Sequence, residues 1–141
     1  LIKEAKRRGK LDDAVLRQEL MKLYSAEVCQ SLIGMQTRAA LQAGKTPGPG
    51  GSLGKLAGAN IAAAYRGLSL GVVGAEGVAW ESNSRWATEA LGTFASGIAG
   101  GTDQIQRNII GERVLGLPRE PSVDKDLPFR DLKVGTQLTG S

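Results

Sequence analysis

The stretch IAGGTDQIQRNIIGERVLGLP, residues 98–118, decides how the rest of this chain is read. Gly100 and Gly101 form a flexible pair that lets backbone come close to a neighbouring group. Thr102 is a helix-capping residue, and Asp103 stands where the positive end of a helix favours a carboxylate or an anion. Ile105, Ile109, Ile110, Val114 and Leu117 recur at three- and four-residue spacings, which predicts one apolar helical face. Arg107 and Arg113 lie off that stripe, and Pro118 stops the helix. A glycine pair that leads into a helix start suits an oxygen-rich ligand such as a phosphate or a carbonyl. On pattern alone, an ordinary helix entry turn is the plainer reading, because short glycine motifs often match by chance.

Outward from that stretch, composition narrows the choices. A chain of 141 residues with 41% hydrophobic side chains is one domain with enough apolar material for a core. Aromatic residues are only 4%, while alanine and glycine abound, so helices that approach closely through small side chains are expected. The net charge of +4 is too small and dispersed for a nucleic-acid-binding surface. There is no histidine, so no imidazole base or metal ligand comes from this chain. A single cysteine, Cys29, rules out an intrachain disulfide and fits a reducing, cytoplasmic setting. No Cys-x-x-Cys or carboxylate-rich loop predicts a metal site. No apolar run is read as a membrane span of about 20 residues. Leu1 in place of Met, with no signal pattern after it, reads as a truncation or processing point.

The segments before the opening stretch read as helices. Residues 1–10 are basic and read as the solvated last turns of a helix that ends at Gly9. From Asp12 and Asp13 to about Ala43, Leu16, Leu20, Leu23, Tyr24, Val28, Leu32, Met35 and Leu41 keep a helical period, with Glu19 and Lys22 paired on the polar side. A helix of about 30 residues would be near 45 Å long, which only a bundle or a contact with a neighbouring subunit accommodates. Cys29 is read as a small packing residue within it. GKTPGPGG, residues 44–51, is a helix–helix connector; its composition hints at a phosphate loop, but the P-loop spacing is absent. Ser52 caps a second helix to about Val73, rich in small residues and carrying Lys55, Asn60 and Arg66. Gly71, Gly74 and Gly77 then mark a turn, since three glycines so close would weaken a helix by about 1 kcal/mol each. Residues 80–84 read as irregular, and 85–95 as a weaker helix. Residues 1–118 are taken as the helical domain and 119–141 as an extended tail.

GGTDQIQRNIIGERVLGLPRE, residues 100–120, resembles the C-terminal signature of the acyl-CoA dehydrogenases. LSLGVVGAEGVAW, residues 68–80, more loosely resembles a glycine-bearing turn of the same domain. The resemblance covers nearly the whole chain and only the last third or so of a typical family member. It implies an all-α antiparallel four-helix bundle that helps to bind FAD in an enzyme oxidising acyl-CoA thioesters to 2,3-enoyl-CoA in lipid β-oxidation. It also implies a homo- or hetero-tetramer and an electron-transfer flavoprotein or similar acceptor. By position, Thr102, Asp103 and Gln104 fall in the FAD-contacting part of the signature, with Asp103 expected to face away from phosphate oxygens. Gly101 falls near the acyl thioester, and Gly71 and Gly74 in the turn that meets flavin bound mainly by another subunit. Gly71 stands where many members have glutamine, and Ala75 where many have glycine. Gly100 stands where many members carry the catalytic glutamate, so no catalytic residue is assigned within this chain; that carboxylate would come from an upstream helix or a partner subunit. Arg107 is expected in a structural ion pair. The alternatives are a non-catalytic subunit of a mixed tetramer and a stand-alone helical interaction module.

Overall fold

A computed structural model describes residues 1–46, 48–79, 85–119 and 127–132, and among these the chain is all helix and turn, with no strand. Six α-helices follow one another: α1 (Ile2–Arg7), α2 (Ala14–Gln42), α3 (Gly51–Val73), α4 (Ala75–Val78), α5 (Arg85–Gly92) and α6 (Asp103–Ile109). Short 3-10 turns at Lys10–Asp12 and Thr93–Gly97 link α1 to α2 and follow α5.

Helix α2 begins as its sequence predicts. The Asp13 carboxylate accepts hydrogen bonds from the amides of Val15 and Leu16 at 2.8 and 3.1 Å, satisfying two donors of the first turn. The connector lets α3 run back along α2, so that Gln30 meets Gly54 near one end and Lys10 meets Gly71 at the other. Small residues set this approach: the Gln30 amide donates to the Gly54 carbonyl at 2.7 Å, and a Cβ on Gly58 would lie 3.7 Å from the same amide nitrogen. Ser52 does not cap α3 as expected. The helix already starts at Gly51, no side chain caps it, and the Ser52 amide bonds to the Pro49 carbonyl instead.

Helix α3 is the hub, in contact with α1, α2, α4, α5 and α6. By length and composition alone it is sufficient to cross a membrane, which the sequence reading did not anticipate, because its leucines, isoleucine and valines are interspersed with alanine and few charges rather than gathered in one apolar run. Lys55 and Arg66 on the same helix bond to other parts of the domain.

The best-buried cluster is Ala5, Leu20 and Val72, with Leu1, Leu11 and Leu16 packed around it, where α1, the start of α2 and the end of α3 meet. The basic first segment is not merely solvated. Arg8 donates to the Val73 carbonyl at 3.1 Å and Lys10 to the Gly71 carbonyl at 3.0 Å, so both cations serve the open carbonyls at the α3 C-terminus.

The all-α expectation therefore holds. Two helices are long, and the shorter α5 and α6 both pack against α3. The apolar period of α2 is only partly buried: Leu20 and Leu23 are inside, while Leu32 and Met35 are 57% and 56% exposed. The last turns of α2 run past the start of α3, so nothing among the described residues covers them. Cys29 is likewise exposed rather than packed, on the open groove between α2 and α3. Of the expected tail, residues 120–126 and 133–141 lie outside the described residues, as do residues 80–84; within the tail, Phe129–Asp131 form one 3-10 turn.

Candidate functional site

The glycine pair is a turn that glycine alone adopts readily. Gly100 has φ +69° and Gly101 φ +93°, in the region that other L-residues avoid. Sequence reasoning missed what holds it. Gln106, one turn into α6, is 6% exposed and donates from its side-chain amide to the Gly100 carbonyl at 2.9 Å. A Cβ on Gly101 would lie 2.8 Å from that amide nitrogen. The backbone angle calls for glycine, and a Cβ there would also push the Gln106 amide off the Gly100 carbonyl. The signal was available as a polar residue one position beyond Ile105 in an otherwise apolar period, a position the stripe leaves unexplained.

Thr102 is the N-cap of α6, and its hydroxyl accepts from the Ile105 amide at 3.3 Å. Asp103 lines a cleft together with Thr102, with its carboxylate engaged: Lys55 on α3 donates to its Oδ1 at 3.0 Å, and its other oxygen faces Gly97, where a Cβ would come within 3.3 Å. This ion pair is mostly buried on both sides and ties α6 to α3. Gln104 is exposed.

Beyond Ile109 the helix widens. Residues Ile110–Val114 form a π-turn, with the Leu115 amide on the Ile110 carbonyl at 3.0 Å and the Leu117 amide on the Gly111 carbonyl at 2.9 Å. The helix expected to run up to Pro118 therefore leaves α geometry after Ile109, well before its apolar spacing ends at Leu117. The expected inward stripe is also corrected. Ile105 is 51% exposed, and Val114 and Leu117 are exposed with it, while Gln106 takes the inward place because it must reach the Gly100 carbonyl. Arg107 is exposed and makes no ion pair among the described residues, contrary to expectation. The pair formed near this helix end is Arg119 with Glu112 at 3.3 Å.

Two clefts open beside the glycine turn. One, of about 360 Å³, is lined by Thr102, Asp103 and Gln104 together with Arg66, Thr93, Phe94 and Ile98. The other, of about 380 Å³, lies between the connector (Gly48, Pro49, Gly51 and Ser52) and Gly100, Gln106 and Arg113. Thr102, Asp103 and Gln104 are thus brought together, and Gly100 lies on the opposite cleft. Gly71 and Gly74 line neither. Gly71 is inside α3 with its carbonyl engaged by Lys10, and Gly74, at φ +72°, ends that helix. Nearby, Glu76 is held below the usual carboxylate range by the Arg8 guanidinium, which donates to it at 2.7 Å. Among the described residues no group of side chains forms a metal site.

This arrangement can be set beside known proteins. The profile of the family described as "Acyl-CoA dehydrogenase, C-terminal domain" matches residues 1–115. The chain belongs to that family. Among curated proteins, "Acyl-CoA dehydrogenase IpdE1" of Mycolicibacterium smegmatis is 34% identical over 122 residues, 85% of this chain and 30% of that protein. Its namesake in Mycobacterium tuberculosis is 34% identical over 125 residues, 85% of this chain and 31% of the other. The chain spans about 30% of the length of the curated relatives it matches. No solved structure matches. The matched span includes the glycine turn and the Thr102–Gln104 segment.

Proposed function

We propose that this chain is the FAD-binding and oligomerising C-terminal part of an acyl-CoA dehydrogenase, which oxidises an acyl-CoA thioester to the 2,3-enoyl-CoA. The observation that carries this reading is the Gly100–Gly101 turn, locked by Gln106 and leading directly into Thr102 and Gln104, which line a cleft with a hydroxyl, an amide and the Arg66 cation. Bound FAD would supply the hydride acceptor. The residues present suit part of such a dinucleotide. Thr102 retains a hydroxyl proton to donate, Gln104 presents a free amide, and the Asp103 carboxylate is neutralised by Lys55 rather than aimed at phosphate oxygens. At about 360 Å³ the cleft is near the lower limit of ligand sites, which run from about 300 to 1,000 Å³. This chain therefore encloses a portion of the ligand, and other parts of a larger protein enclose the rest.

Gly100 carries no side chain with which to remove the α-proton, so the base is a carboxylate outside this chain. Gly101 keeps the backbone open where the thioester would approach. A homo- or hetero-tetramer fits the exposed far half of α2, and the electrons leave to an electron-transfer flavoprotein or similar acceptor. A second reading, favoured by Gly100 itself, makes this chain a non-catalytic subunit that completes a partner's site.

The test is flavin retention by the full-length parent protein and its Thr102→Val and Gln104→Ala variants. The parent is expected to purify with FAD, alone or when co-expressed with a second subunit, and each variant to lose flavin more readily. A parent that never holds flavin under either condition would overturn the proposal.

A further inference from the structure

The cleft that holds Thr102 and Gln104 is also lined by Arg66, a residue on the middle of α3 that lies outside both signature stretches. Its guanidinium carbon sits 3.8 Å from the centroid of the Phe94 ring, and one of its N–H groups donates to Thr93 Oγ1 at 3.1 Å. Stacking and that single hydrogen bond fix the plane of the guanidinium and leave most of its five donors unused. No carboxylate among the described residues pairs with it. The nearest acid on the same cleft, Asp103, is already held by Lys55, and Glu89 on α5 is held by Arg85 and Tyr65. The cleft therefore carries one uncompensated positive charge, pre-oriented and half-buried, beside a hydroxyl and an amide. Phe94 is 55% exposed and Ile98 also exposed, so the rim is apolar while the interior presents donors.

From this geometry we infer that Arg66 is a phosphoryl-binding residue of the cleft, its free guanidinium edge taking the oxygens of a phosphate or pyrophosphate group, with Thr102 and Gln104 as auxiliary donors. A planar fork held by an aromatic ring is suited to paired phosphoryl oxygens, which a lysine cannot engage in the same way. The inference rests on the proposed flavin function and adds to it a residue and a charge. The phosphoryl group comes from FAD or from coenzyme A, and these two sources are distinguished by titration.

The experiment uses the full-length parent protein, stripped of flavin, with Arg66→Met and Arg66→Lys variants of matched thermal midpoint and circular dichroism. Each is titrated separately with FAD, riboflavin and coenzyme A. Loss of charge-assisted hydrogen bonds predicts FAD binding weaker by about 10- to 100-fold in Arg66→Met, with an intermediate loss in Arg66→Lys and riboflavin binding unchanged. The same loss for coenzyme A, with FAD unchanged, keeps the phosphoryl site and assigns it to the thioester substrate. Unchanged binding of both would overturn the inference while leaving the flavin function standing. A riboflavin loss as large as the FAD loss would also overturn it, since riboflavin has no phosphate. A wild-type protein that binds none of the three, alone or with a co-expressed second subunit, ends the flavin proposal and this inference together.

Discussion

Gly101 meets two constraints in the turn. Its φ of +93° is costly for any side chain, and a Cβ would press on the Gln106 amide at 2.8 Å. Gly101→Ala is therefore expected to lower unfolding free energy by about 1–3 kcal/mol, measured by urea denaturation, and to weaken flavin retention by moving Thr102. A variant as stable as the parent would show that the turn is not held as described. Glu4 gives a pH prediction at the same scale. Its carboxyl is lowered to about 2, first by the hydrogen-bonding Arg7 guanidinium and then by Arg8. A carboxylate with a depressed folded-state pKa stabilises fully above its unfolded value of about 4.5 and loses that contribution as pH falls through about 2. Urea midpoints taken from pH 5 to pH 2 should therefore fall more steeply in the wild type than in Glu4→Gln. Parallel slopes would mean that Glu4 contributes nothing to acid sensitivity.

Among the elements, α2 depends on its cap. Removing both amide acceptors by Asp13→Ala should cost about 1 kcal/mol, seen as a lower urea midpoint with an unchanged slope; no shift would place the helix's stability wholly in its packing. The start of α2 was legible because an aspartate before an apolar period is a local signal. The break at residues 44–51 was equally plain, since prolines and glycines act on their own backbone. The π-turn at Ile110–Val114 was not legible, because isoleucine and valine keep an α-like spacing whichever ladder their amides choose. Nor were the Lys55–Asp103 tie and the Gln106 anchor, which join residues by tertiary approach rather than by periodicity. The glycine turn could be found from sequence, and Gln106 stood out as a polar residue in an apolar period, but its partner, the Gly100 carbonyl, could not be read.

For the whole molecule, the unburied surface speaks most directly to function. The far half of α2 leaves Leu32, Ile33, Met35 and Leu41 uncovered, and a groove of about 650 Å³ runs between α2 and α3. In that groove Gln30 Oε1 is buried without a partner among the described residues. Apolar patches and orphaned acceptors of this kind mark surfaces that other protein covers, which supports the proposed place of this domain in a larger assembly. The direct test is the visible spectrum of the full-length parent protein, recorded anaerobically while acyl-CoA thioesters of different chain length and ring content are added. The account predicts a yellow protein whose oxidised-flavin absorbance bleaches with at least one thioester as the 2,3-enoyl product forms. A flavin that stays oxidised with every thioester, alone and with any co-expressed subunit, would contradict it.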